Sequence, residues 1–338
     1  MKLASIGSGA IVDAAYDSIQ DLEGIEKVAA YSRSMEKAEA FAKKHGIQKA
    51  YDDIDKMLAD PDIDTIYIAS PNSLHYPQAK KALQAKKNVI LEKPFTPTMA
   101  QTQELFDLAE ANGVMIFEAI TNIHTANFGL LRDRLPEIGA PRECVFNFSQ
   151  YSSRYGKYMN GEVANVFDPK MDGGALLDIN IYNIHLALGL FGEPEDVFYY
   201  PMIGWNGIDT SGVLILRYPN LVITCIGSKD CSTDYLATIQ GELGTFAITG
   251  GSTGKMADID LIGTMQEDAK IGRERISIDQ GPHMTYEFMD FLTALNENNQ
   301  EMYNACKAQT LAAQCVLEKA KAQRDERVKQ LGIQTDAK

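Results

Sequence analysis

The sequence has few cysteines, and their spacing suggests neither a disulfide framework nor a metal site. The five cysteines are Cys144, Cys225, Cys231, Cys306 and Cys315. They contain no CxxC pair and no cluster with metal-ligand spacing. Their odd number and wide spacing are typical of reduced thiols, which are usual in reducing compartments. We therefore predict no metal centre and expect a cytoplasmic location.

Positive charge is also scarce. The chain has 32 Lys and Arg residues against 46 Asp and Glu residues, which gives a formal net charge of −14. This balance argues against binding nucleic acid over a broad surface. The sequence has no hydrophobic signal region at its start, and no apolar run reaches the roughly 20 residues that a spanning helix needs. We predict neither a nucleic-acid partner nor a membrane.

The first third of the sequence contains a regular alternation of short apolar strands and helical segments. Strands are predicted over residues 3–6, 28–31, 65–69, 89–91 and 114–117, and helices over residues 11–22, 35–45, 54–59, 77–85 and 99–111. Repeated βα units of this length specify a parallel, doubly wound sheet with helices on both faces, the Rossmann arrangement.

After about residue 118 the pattern changes to strands joined by short turns. Strands are predicted over residues 143–150, 213–218, 221–227, 236–240 and 245–248, and helices over residues 283–296 and 301–327. Short connections imply antiparallel or mixed pairing. The predicted fold class is α/β: an N-terminal Rossmann domain over residues 1–119 and an α+β domain with an open, mostly antiparallel sheet over residues 120–338.

Gly7-Ser8-Gly9 lies between the first predicted strand and the first helix. Glycines at this position let the backbone approach a pyrophosphate, which the amino terminus of the helix then stabilises. The third glycine of the GxGxxG fingerprint is absent, because Val12 occupies its position. The placement of the turn in the first of several βα units still favours a dinucleotide over a plain tight turn. Ala10 and Ile11 are expected beside the same phosphates.

An acid is missing after the second strand, where proteins that prefer NAD usually place one for the ribose hydroxyl. The residues there are Ser32-Arg33-Ser34, and no acid follows until Glu36 within the helix. A hydroxyl and a planar guanidinium suit a 2′-phosphate, so the sequence favours NADP, with NAD possible. Alternatively, Ser34 only caps the next helix and Arg33 is solvated. Both interpretations can hold at once.

A second polar loop follows the strand predicted over residues 65–69 and carries Ser70, Asn72 and His75. Because it also leaves the carboxyl side of the sheet, we expect it to border the nicotinamide end of the cleft. His75 is a candidate contact to cofactor or substrate. The alternative for His75 is a helix-capping or packing role.

Glu92-Lys93-Pro94 follows the strand predicted over residues 89–91. A lysine at the carboxyl end of such a strand points into the crevice where open α/β sheets bind ligands. The proline has a fixed φ and no amide donor, so it stiffens the exit from the strand. We expect Glu92 and Lys93 beside the cofactor, although these residues alone also fit a surface lysine at a strand end.

The segment over residues 173–185 places polar groups on an otherwise apolar stretch. If it is helical from about Leu176, then Asp178, Tyr182 and His185 lie at positions i, i+4 and i+7 and share one face. A buried hydrogen-bond network would explain these residues. The alternative is a polar helix face against a cleft.

Together these motifs resemble the Gfo/Idh/MocA oxidoreductase family over the whole chain. The resemblance rests on the Gly-rich first turn, Glu92-Lys93-Pro94, Glu118-Ala119 after the last Rossmann strand, and the Gly-Gly-x-Leu-x-Asp-x-x-x-Tyr segment. It implies an NAD(P)-dependent oxidoreductase acting on sugars, cyclitols or related diols. It also implies that the second domain binds the substrate and that its open sheet forms a homodimer or homotetramer.

The resemblance implies roles for particular residues. Lys93 matches the active-site lysine of the family, and Asp178 matches the aspartate that orients substrate hydroxyls. Many members have histidine four residues after that aspartate as the proton-transfer group. This chain has Tyr182 there, as in the glucose–fructose oxidoreductase and dimeric dihydrodiol dehydrogenase branches. Asn180 replaces a glycine common in the motif, and asparagine tolerates unusual backbone angles better than most residues.

Two further residues, Glu118 and His185, are predicted near the substrate. His185 is the rival of Tyr182 for the proton transfer. The segment over residues 120–127 lacks the arginine and phenylalanine pattern expected there, so it does not define the substrate pocket.

The expected reaction passes a hydride between a substrate carbon and the nicotinamide while Tyr182 exchanges the hydroxyl proton. A free tyrosine has a pKa of about 10, and a nearby cationic Lys93 would favour the phenolate. The alternative role for Lys93 is a hydrogen bond to the substrate oxygen. The rival hypothesis from another class is an NADP-binding regulator or sensor on the same fold that has lost catalysis. Such a protein should lack the lysine or the acid–base group, and both are present here.

Overall fold

The computed structural model describes residues 1–234, 236–263 and 272–333. The chain divides into two compact units. The first unit comprises Met1–Ile120 and Gly281–Leu311, and the second comprises Thr121–Gln280 and Ala312–Lys338.

The main elements follow the chain in order. The strands are β1 (Lys2–Ile6), β2 (Glu26–Tyr31), β3 (Lys49–Tyr51), β4 (Thr65–Ile68), β5 (Asn88–Glu92), β6 (Ile116–Ala119), β7 (Pro141–Ser149), β8 (Asp196–Ile203), β9 (Asp209–Arg217), β10 (Val222–Ser228), β11 (Ala237–Gly241), β12 (Gly244–Thr249), β13 (Asp258–Gly263) and β14 (Arg273–Arg275). The α-helices are α1 (Ala10–Ser18), α2 (Met35–His45), α3 (Ile54–Leu58), α4 (His75–Gln84), α5 (Met99–Asn112), α6 (Ala126–Arg134), α7 (Tyr155–Met159), α8 (Ile181–Phe191), α9 (Thr285–Asn296) and α10 (Gln300–Gln330).

The first unit contains a six-stranded parallel sheet in the order β3-β2-β1-β4-β5-β6. This order defines a Rossmann sheet, and it places the crevice for a dinucleotide between β1 and β4, where the strand order reverses. The prediction of a doubly wound sheet is confirmed. Strand β3 was not predicted, because its three residues are only partly buried and show no apolar run.

Helix α9 packs within the first unit. Phe288 and Phe291 are fully buried, and their rings lie 5.5 Å from Tyr67 and 4.8 Å from Phe117, centroid to centroid. Burying two such side chains stabilises the unit by several kcal/mol, at about 1.5–3 kcal/mol each. The prediction placed all of residues 120–338 in the second domain. The structure corrects it, because this aromatic face returns Gly281–Leu311 to the first unit.

The second unit contains an eight-stranded sheet in the order β14-β13-β12-β11-β7-β10-β9-β8. Only the β7–β10 pair is parallel, and the other pairs are antiparallel. An open, mostly antiparallel sheet was predicted and is confirmed. Strand β8 was missed because it contains Pro201, which is tolerated at the end of a sheet but argues against a strand in the sequence. Strands β13 and β14 were also missed.

A helical segment over Pro169–Phe191 runs into the core of the second unit. Its length and apolarity would allow it to cross a membrane, but 72% of its apolar window is buried inside the protein. Burial of this kind is what a core helix shows. Residues Leu176–Asn180 form a π-helical turn before α8 begins at Ile181. The helix predicted from Leu176 is therefore α-helical only from Ile181.

Candidate active site

A cavity of about 560 Å³ in the first unit lies at the carboxyl ends of β1, β2 and β4. The residues that line it come from the three loops that follow these strands and from the helices after them. They are Ile6, Gly7, Ser8, Gly9, Tyr31, Ser32, Arg33, Ser34, Lys37, Ala69, Ser70, Pro71, Leu74 and Gln78. The cavity therefore lies at the reversal of strand order, where this fold binds dinucleotides.

The Gly7–Gly9 turn requires glycine at its first position. Gly7 has a φ of +125°, and a Cβ there would lie 2.8 Å from the carbonyl oxygen of Ala69. Gly9 is the N-cap of α1 and, as a glycine, has no side chain to cap the helix. The space beside it is open, since a Cβ at this residue would meet no atom within 4 Å. The backbone N–H groups at the start of α1 are thus open to an anion, which suits a pyrophosphate. Val12 is fully buried in place of the third glycine.

The loop after β2 supplies the cations of the cavity. Arg33 and Lys37 are both exposed and both line it, and within the described part of the chain neither forms an ion pair. Ser34 is the N-cap of α2, but its side chain makes no cap hydrogen bond. The alternative in which Ser34 caps the helix through its hydroxyl is therefore not observed. Ser32 accepts a 3.3 Å hydrogen bond from the hydroxyl of Ser8. Lys37 was not predicted.

His75 is buried below the cavity rather than lining it. Its Nδ1 lies 2.9 Å from the carbonyl oxygen of Pro94, and its Nε2 lies 3.0 Å from the carbonyl oxygen of Ser70. The imidazole thus joins the loop after β4 to the segment that follows β5. This is the packing role that was the alternative to a ligand contact. Ser70 itself donates a 2.6 Å hydrogen bond to Gln78, and both line the cavity.

Lys93 follows β5 between two buried carboxyl groups. Glu92 accepts a 2.6 Å hydrogen bond from the hydroxyl of Tyr67, and burial raises the pKa of Glu92 against the opposing effects of Tyr67 and Lys93. Burial also raises the pKa of Glu118 to about 7, opposed by hydrogen bonds from Thr310 and the backbone of Phe95.

The charges of Glu92 and Lys93 act on Glu118 in opposite directions, the first raising and the second lowering its pKa. Lys93 remains partly accessible, whereas Glu118 is only 5% exposed. Glu118 was predicted near the substrate, and the structure places it in the interior of the first unit beside the Lys93 strand end.

In the second unit, the segment that precedes Asp178 is anchored by Asp209 of β9. A Cβ on Gly174, whose φ is +105°, would lie 2.2 Å from a carboxylate oxygen of Asp209. The backbone N–H of Leu176 donates to that carboxylate at 2.7 Å, and Tyr199 donates to it at 2.8 Å. Asp209 is fully buried and pairs with Arg324 at 3.6 Å. Its role was not predicted, because β9 lies more than 30 residues further along the chain.

Asp178 lies in the π-helical turn and forms an ion pair with Lys229, whose ammonium donates to its Oδ2. The aspartate side chain is 32% exposed and the lysine side chain 2%. Tyr182, in the first turn of α8, is also partly accessible, and its ring lies 5.5 Å from that of Phe148. Lys229 was not predicted. A π-helical turn within a helix is common at functional sites.

A buried amide network fixes the backbone beside Tyr182. Asn122 donates to the carbonyl oxygen of Tyr182 at 2.8 Å and to that of Thr253 at 3.2 Å. The hydroxyl of Thr253 donates to Asn183, which donates in turn to Asn180 at 2.7 Å. Asn180 has ordinary right-handed helical angles, with φ −71° and ψ −16°. Its place in the motif is therefore explained by hydrogen bonding rather than by tolerance of unusual backbone angles.

His185 is fully buried in α8, and burial together with the nearby His124 lowers its pKa to about 3. It is neutral at pH 7 and does not share an accessible face with Asp178 and Tyr182. Of the three residues predicted on one stripe, Asp178 and Tyr182 are partly accessible, whereas His185 is enclosed.

The predicted cofactor residues fall into two groups. Those that line the cavity are Gly7, Gly9, Ser32, Arg33 and Ser70. Those that lie outside its lining are Ala10 and Ile11 in α1, Asn72 and His75 after β4, and Glu92 and Lys93 at the end of β5. Glu92 and Lys93 lie outside because β5 ends one strand further along the sheet, whereas the other four follow β1 and β4 without lining the cavity.

Comparison with known proteins agrees with this geometry. Residues 1–120 match the profile of the Gfo/Idh/MocA oxidoreductase family, NAD-binding Rossmann fold, and residues 136–247 match a Gfo/Idh/MocA C-terminal domain. The scyllo-inositol 2-dehydrogenase (NADP(+)) IolU of Bacillus subtilis is 36% identical over 325 residues, which cover 96% of this chain and 97% of that protein.

Two further similarities are more distant. The trans-1,2-dihydrobenzene-1,2-diol dehydrogenase of Xenopus tropicalis is 32% identical over 193 residues, covering 56% of this chain and 57% of that protein. The structure of levoglucosan dehydrogenase in complex with NADH and levoglucosan superposes with a TM-score of 0.81 at 18% identity, covering 96% of this chain and 98% of that one. At that identity, the superposition establishes the shared fold alone. The chain belongs to the Gfo/Idh/MocA family and is an NAD(P)-dependent oxidoreductase.

Proposed function

We propose that this enzyme oxidises a secondary hydroxyl of a cyclitol or sugar with NADP⁺, and that scyllo-inositol is the first substrate to test. The accessible carboxylate of Asp178, held one turn before the accessible phenol of Tyr182, carries this proposal. A carboxylate accepts hydrogen bonds from hydroxyl groups, and a tyrosine in its phenolate form can take the proton that an alcohol loses on oxidation, becoming the neutral phenol. The Bacillus subtilis relative, similar over nearly the whole chain, is named for oxidation of such a substrate with NADP⁺.

Each residue has a proposed task. The cavity lined by Gly7, Gly9 and Arg33 would hold the dinucleotide, which would supply the hydride acceptor. Asp178 orients the substrate by accepting hydrogen bonds from its hydroxyls, and Tyr182 takes the hydroxyl proton at its Oη. The family resemblance assigns Lys93 to the same reaction, in which a positive charge favours the phenolate form of a tyrosine.

Burial of His185 supports Tyr182 as the proton-transfer group. With a pKa lowered to about 3 and no exposed surface, His185 is neutral and enclosed at pH 7. A general acid or base must come within hydrogen-bond reach of the proton it transfers. Tyr182 retains access that His185 lacks.

The pair of cations after β2 supports NADP as the preferred cofactor. Arg33 and Lys37 line the cavity next to Ser32 and Ser34, and no acid faces them from the cavity lining. A 2′-phosphate suits two cations and two hydroxyl donors better than a ribose hydroxyl does.

The test is turnover of NADP⁺ and NAD⁺ with inositols, aldoses and cyclic trans-diols, with cofactor binding measured in parallel. We expect turnover with a cyclitol and NADP⁺. Tyr182→Phe should then lower kcat by about 10²–10⁴-fold, the usual contribution of general acid–base catalysis. Tyr200→Phe, which removes a hydroxyl from the exposed side of β8, is the matched control. Tight NADP⁺ binding without turnover on the whole panel would favour a regulator.

The outer face of the second sheet supports a homo-oligomer. The register aligns Tyr200 with Val213 of β9, and Val213 with Ile226 of β10, along one row. Phe198 begins a second row that continues through Ile215. Tyr200 and Met202 are more than 60% exposed. An apolar patch of this kind commonly marks a protein interface, and we propose that a second copy of the chain covers it.

Light scattering at varied protein concentration tests this assembly. Met202→Lys should convert a dimer or tetramer into a smaller species, because it places a charge on the same exposed face of β8 as Phe198 and Tyr200. Met159→Lys is the matched control, since Met159 is also about 60% exposed but lies on α7. A wild-type monomer at all concentrations would contradict the proposal.

A further inference from the structure

The second unit contains a buried lysine, Lys229, close to the proposed substrate site. Lys229 follows directly after β10, and its side chain is 2% exposed. Its backbone N–H donates to the carbonyl oxygen of Thr210 at 2.8 Å, and its carbonyl oxygen accepts from Ser152 at 2.9 Å. Hydrogen bonds on both sides thus hold the main chain at Lys229, which fixes the position of its Cα.

The ammonium of Lys229 has a well-defined environment. It donates to Oδ2 of Asp178, and it lies 5.0 Å from the ring centroid of Phe167, which is itself fully buried. Within residues 1–234, 236–263 and 272–333, Asp178 is the only carboxylate paired with it. A lysine is almost never fully buried without a partner, and breaking such a pair leaves an uncompensated charge.

The two members of the pair differ in accessibility. Lys229 is enclosed by Phe167 and the strand ends, whereas about a third of the Asp178 side chain is exposed. A ligand in solution can therefore reach the carboxylate but not the ammonium. An enclosed charge that holds an accessible one restricts the carboxylate to a single orientation, which is how supporting residues prepare a binding site.

We propose that Lys229 is a positioning residue for substrate binding: it holds one carboxylate oxygen of Asp178 so that the carboxylate faces the substrate hydroxyls. This inference rests on the proposed function, in which Asp178 orients those hydroxyls. Lys229 acts through Asp178 and does not touch the substrate.

The kinetic test compares Lys229→Met, Asp178→Asn and the double variant with scyllo-inositol and NADP⁺. Lys229→Met should raise KM for the cyclitol and lower kcat/KM by about 100-fold, the scale of a misplacement of about 1 Å, while NADP⁺ binding stays unchanged. Lys229→Met should have no further effect on kcat/KM in the Asp178→Asn background. Independent losses in the double variant would overturn the proposal, because Lys229 would then act by another route. An unchanged KM and kcat/KM in Lys229→Met would also overturn it.

Lys319→Met is the matched control, because Lys319 is an exposed lysine on α10 in the same unit. It should leave both constants unchanged. If Lys229→Met does not fold, Lys229→Gln, which is neutral and keeps an N–H donor, replaces it in the same set of variants.

Urea unfolding of the same variants gives a readout that needs no turnover. Asp178→Asn leaves the buried ammonium without its carboxylate, so its unfolding midpoint should fall, and Lys229→Met added to it should restore part of the loss. Additive shifts would show that the two residues are not coupled, and the proposal would fail. If the wild type turns over none of the substrates, the proposed function fails, whereas the unfolding data still decide whether the pair exists.

Discussion

The two units each contain a cluster of lysine and carboxylate, and the two clusters are built in opposite ways. In the first unit, Glu92 and Glu118 are buried and Lys93 is partly accessible. In the second, Lys229 is buried and Asp178 is accessible. The enclosed groups are therefore two carboxyls in the first unit and one ammonium in the second, and in each unit one partner of the opposite kind stays accessible.

The difference shows how a buried charged residue can support a binding site without contacting the ligand. An enclosed ion loses its hydration and is retained only where a partner compensates for that loss. The same enclosure removes its freedom to move, so it fixes the accessible partner. Substitution of an accessible residue, Lys93 or Asp178, should therefore affect turnover directly. Substitution of an enclosed residue should affect the stability of the fold and the position of its accessible partner. The following changes test this division.

The largest effect is expected from Lys93→Met. Methionine has a similar length and no charge, so we expect kcat to fall by about 10³-fold, the upper end of the range for loss of one charge-stabilising group. Cofactor binding should change only a few-fold, because Lys93 lies outside the cavity lined by Gly7 and Arg33. Stopped-flow turnover and fluorescence titration with NADPH measure the two quantities. Wild-type turnover in this variant would show that the accessible lysine has no catalytic role.

The next effect is on stability and comes from the enclosed partner Glu118. Burial raises the pKa of Glu118 from 4.5 to about 7. Between these values, the folded protein retains a proton that the unfolded chain has lost. The free energy of unfolding therefore falls as the pH rises from about 4.5 to 7, by about 3 kcal/mol in total, and Glu118 adds no further slope above that.

Glu118→Gln should remove this part of the pH dependence, because glutamine resembles the protonated carboxyl group. Relative to the wild type, the variant should gain about 3 kcal/mol between pH 4.5 and 8. Urea unfolding at a series of pH values measures the difference. Glu39→Gln, on the exposed face of α2, is the control. Parallel curves for the wild type and Glu118→Gln would show that the enclosed carboxyl does not titrate in this range.

The first unit was largely predictable, because its strands and helices follow one another with short local connections. Helix α2 was predicted over residues 35–45 and observed over Met35–His45. The glycine turn and Arg33 were found because a dinucleotide site requires particular residue types at particular strand ends. Glu118 was placed near the substrate because its position near the carboxyl end of the last Rossmann strand was visible in the sequence, whereas its burial was not.

The second unit was less predictable because its contacts are made between distant residues. Lys229 lies 51 residues after Asp178, and Asp209 anchors a turn that begins more than 30 residues before it. Pairs of residues so far apart in the chain leave no local pattern in the sequence from which they could be predicted. The π-helical turn at Leu176–Asn180 changes the spacing between Asp178 and the residues of α8, which a regular α-helical pattern does not predict. The burial of His185 depends instead on packing within the second unit. The return of α9 to the first unit likewise depends on aromatic contacts between distant elements.

A smaller effect is expected at Arg33. Unlike Lys229, Arg33 has no carboxylate partner in the described residues. Such a group is available for an anion from solution. Arg33→Ala should weaken NADP⁺ binding by about 10–100-fold, the strength of hydrogen bonds to a charged group, and NAD⁺ binding much less. Calorimetric titration with both cofactors measures this. Equal losses for the two cofactors would remove the role of Arg33 at the 2′-phosphate.

The smallest effect is expected at Lys37, one turn into α2 and also facing the cavity. A flexible, exposed ammonium holds a phosphate less firmly than a guanidinium that binds through two parallel hydrogen bonds. Lys37→Ala should therefore weaken NADP⁺ binding by only about 2- to 5-fold, the usual range for an exposed ion pair. Lys43→Ala, an exposed lysine of the same helix outside the cavity lining, should have no effect. A loss at Lys37 as large as that at Arg33 would mean that the phosphate lies over α2 rather than in the loop after β2, and the cofactor would then be held mainly by the helix.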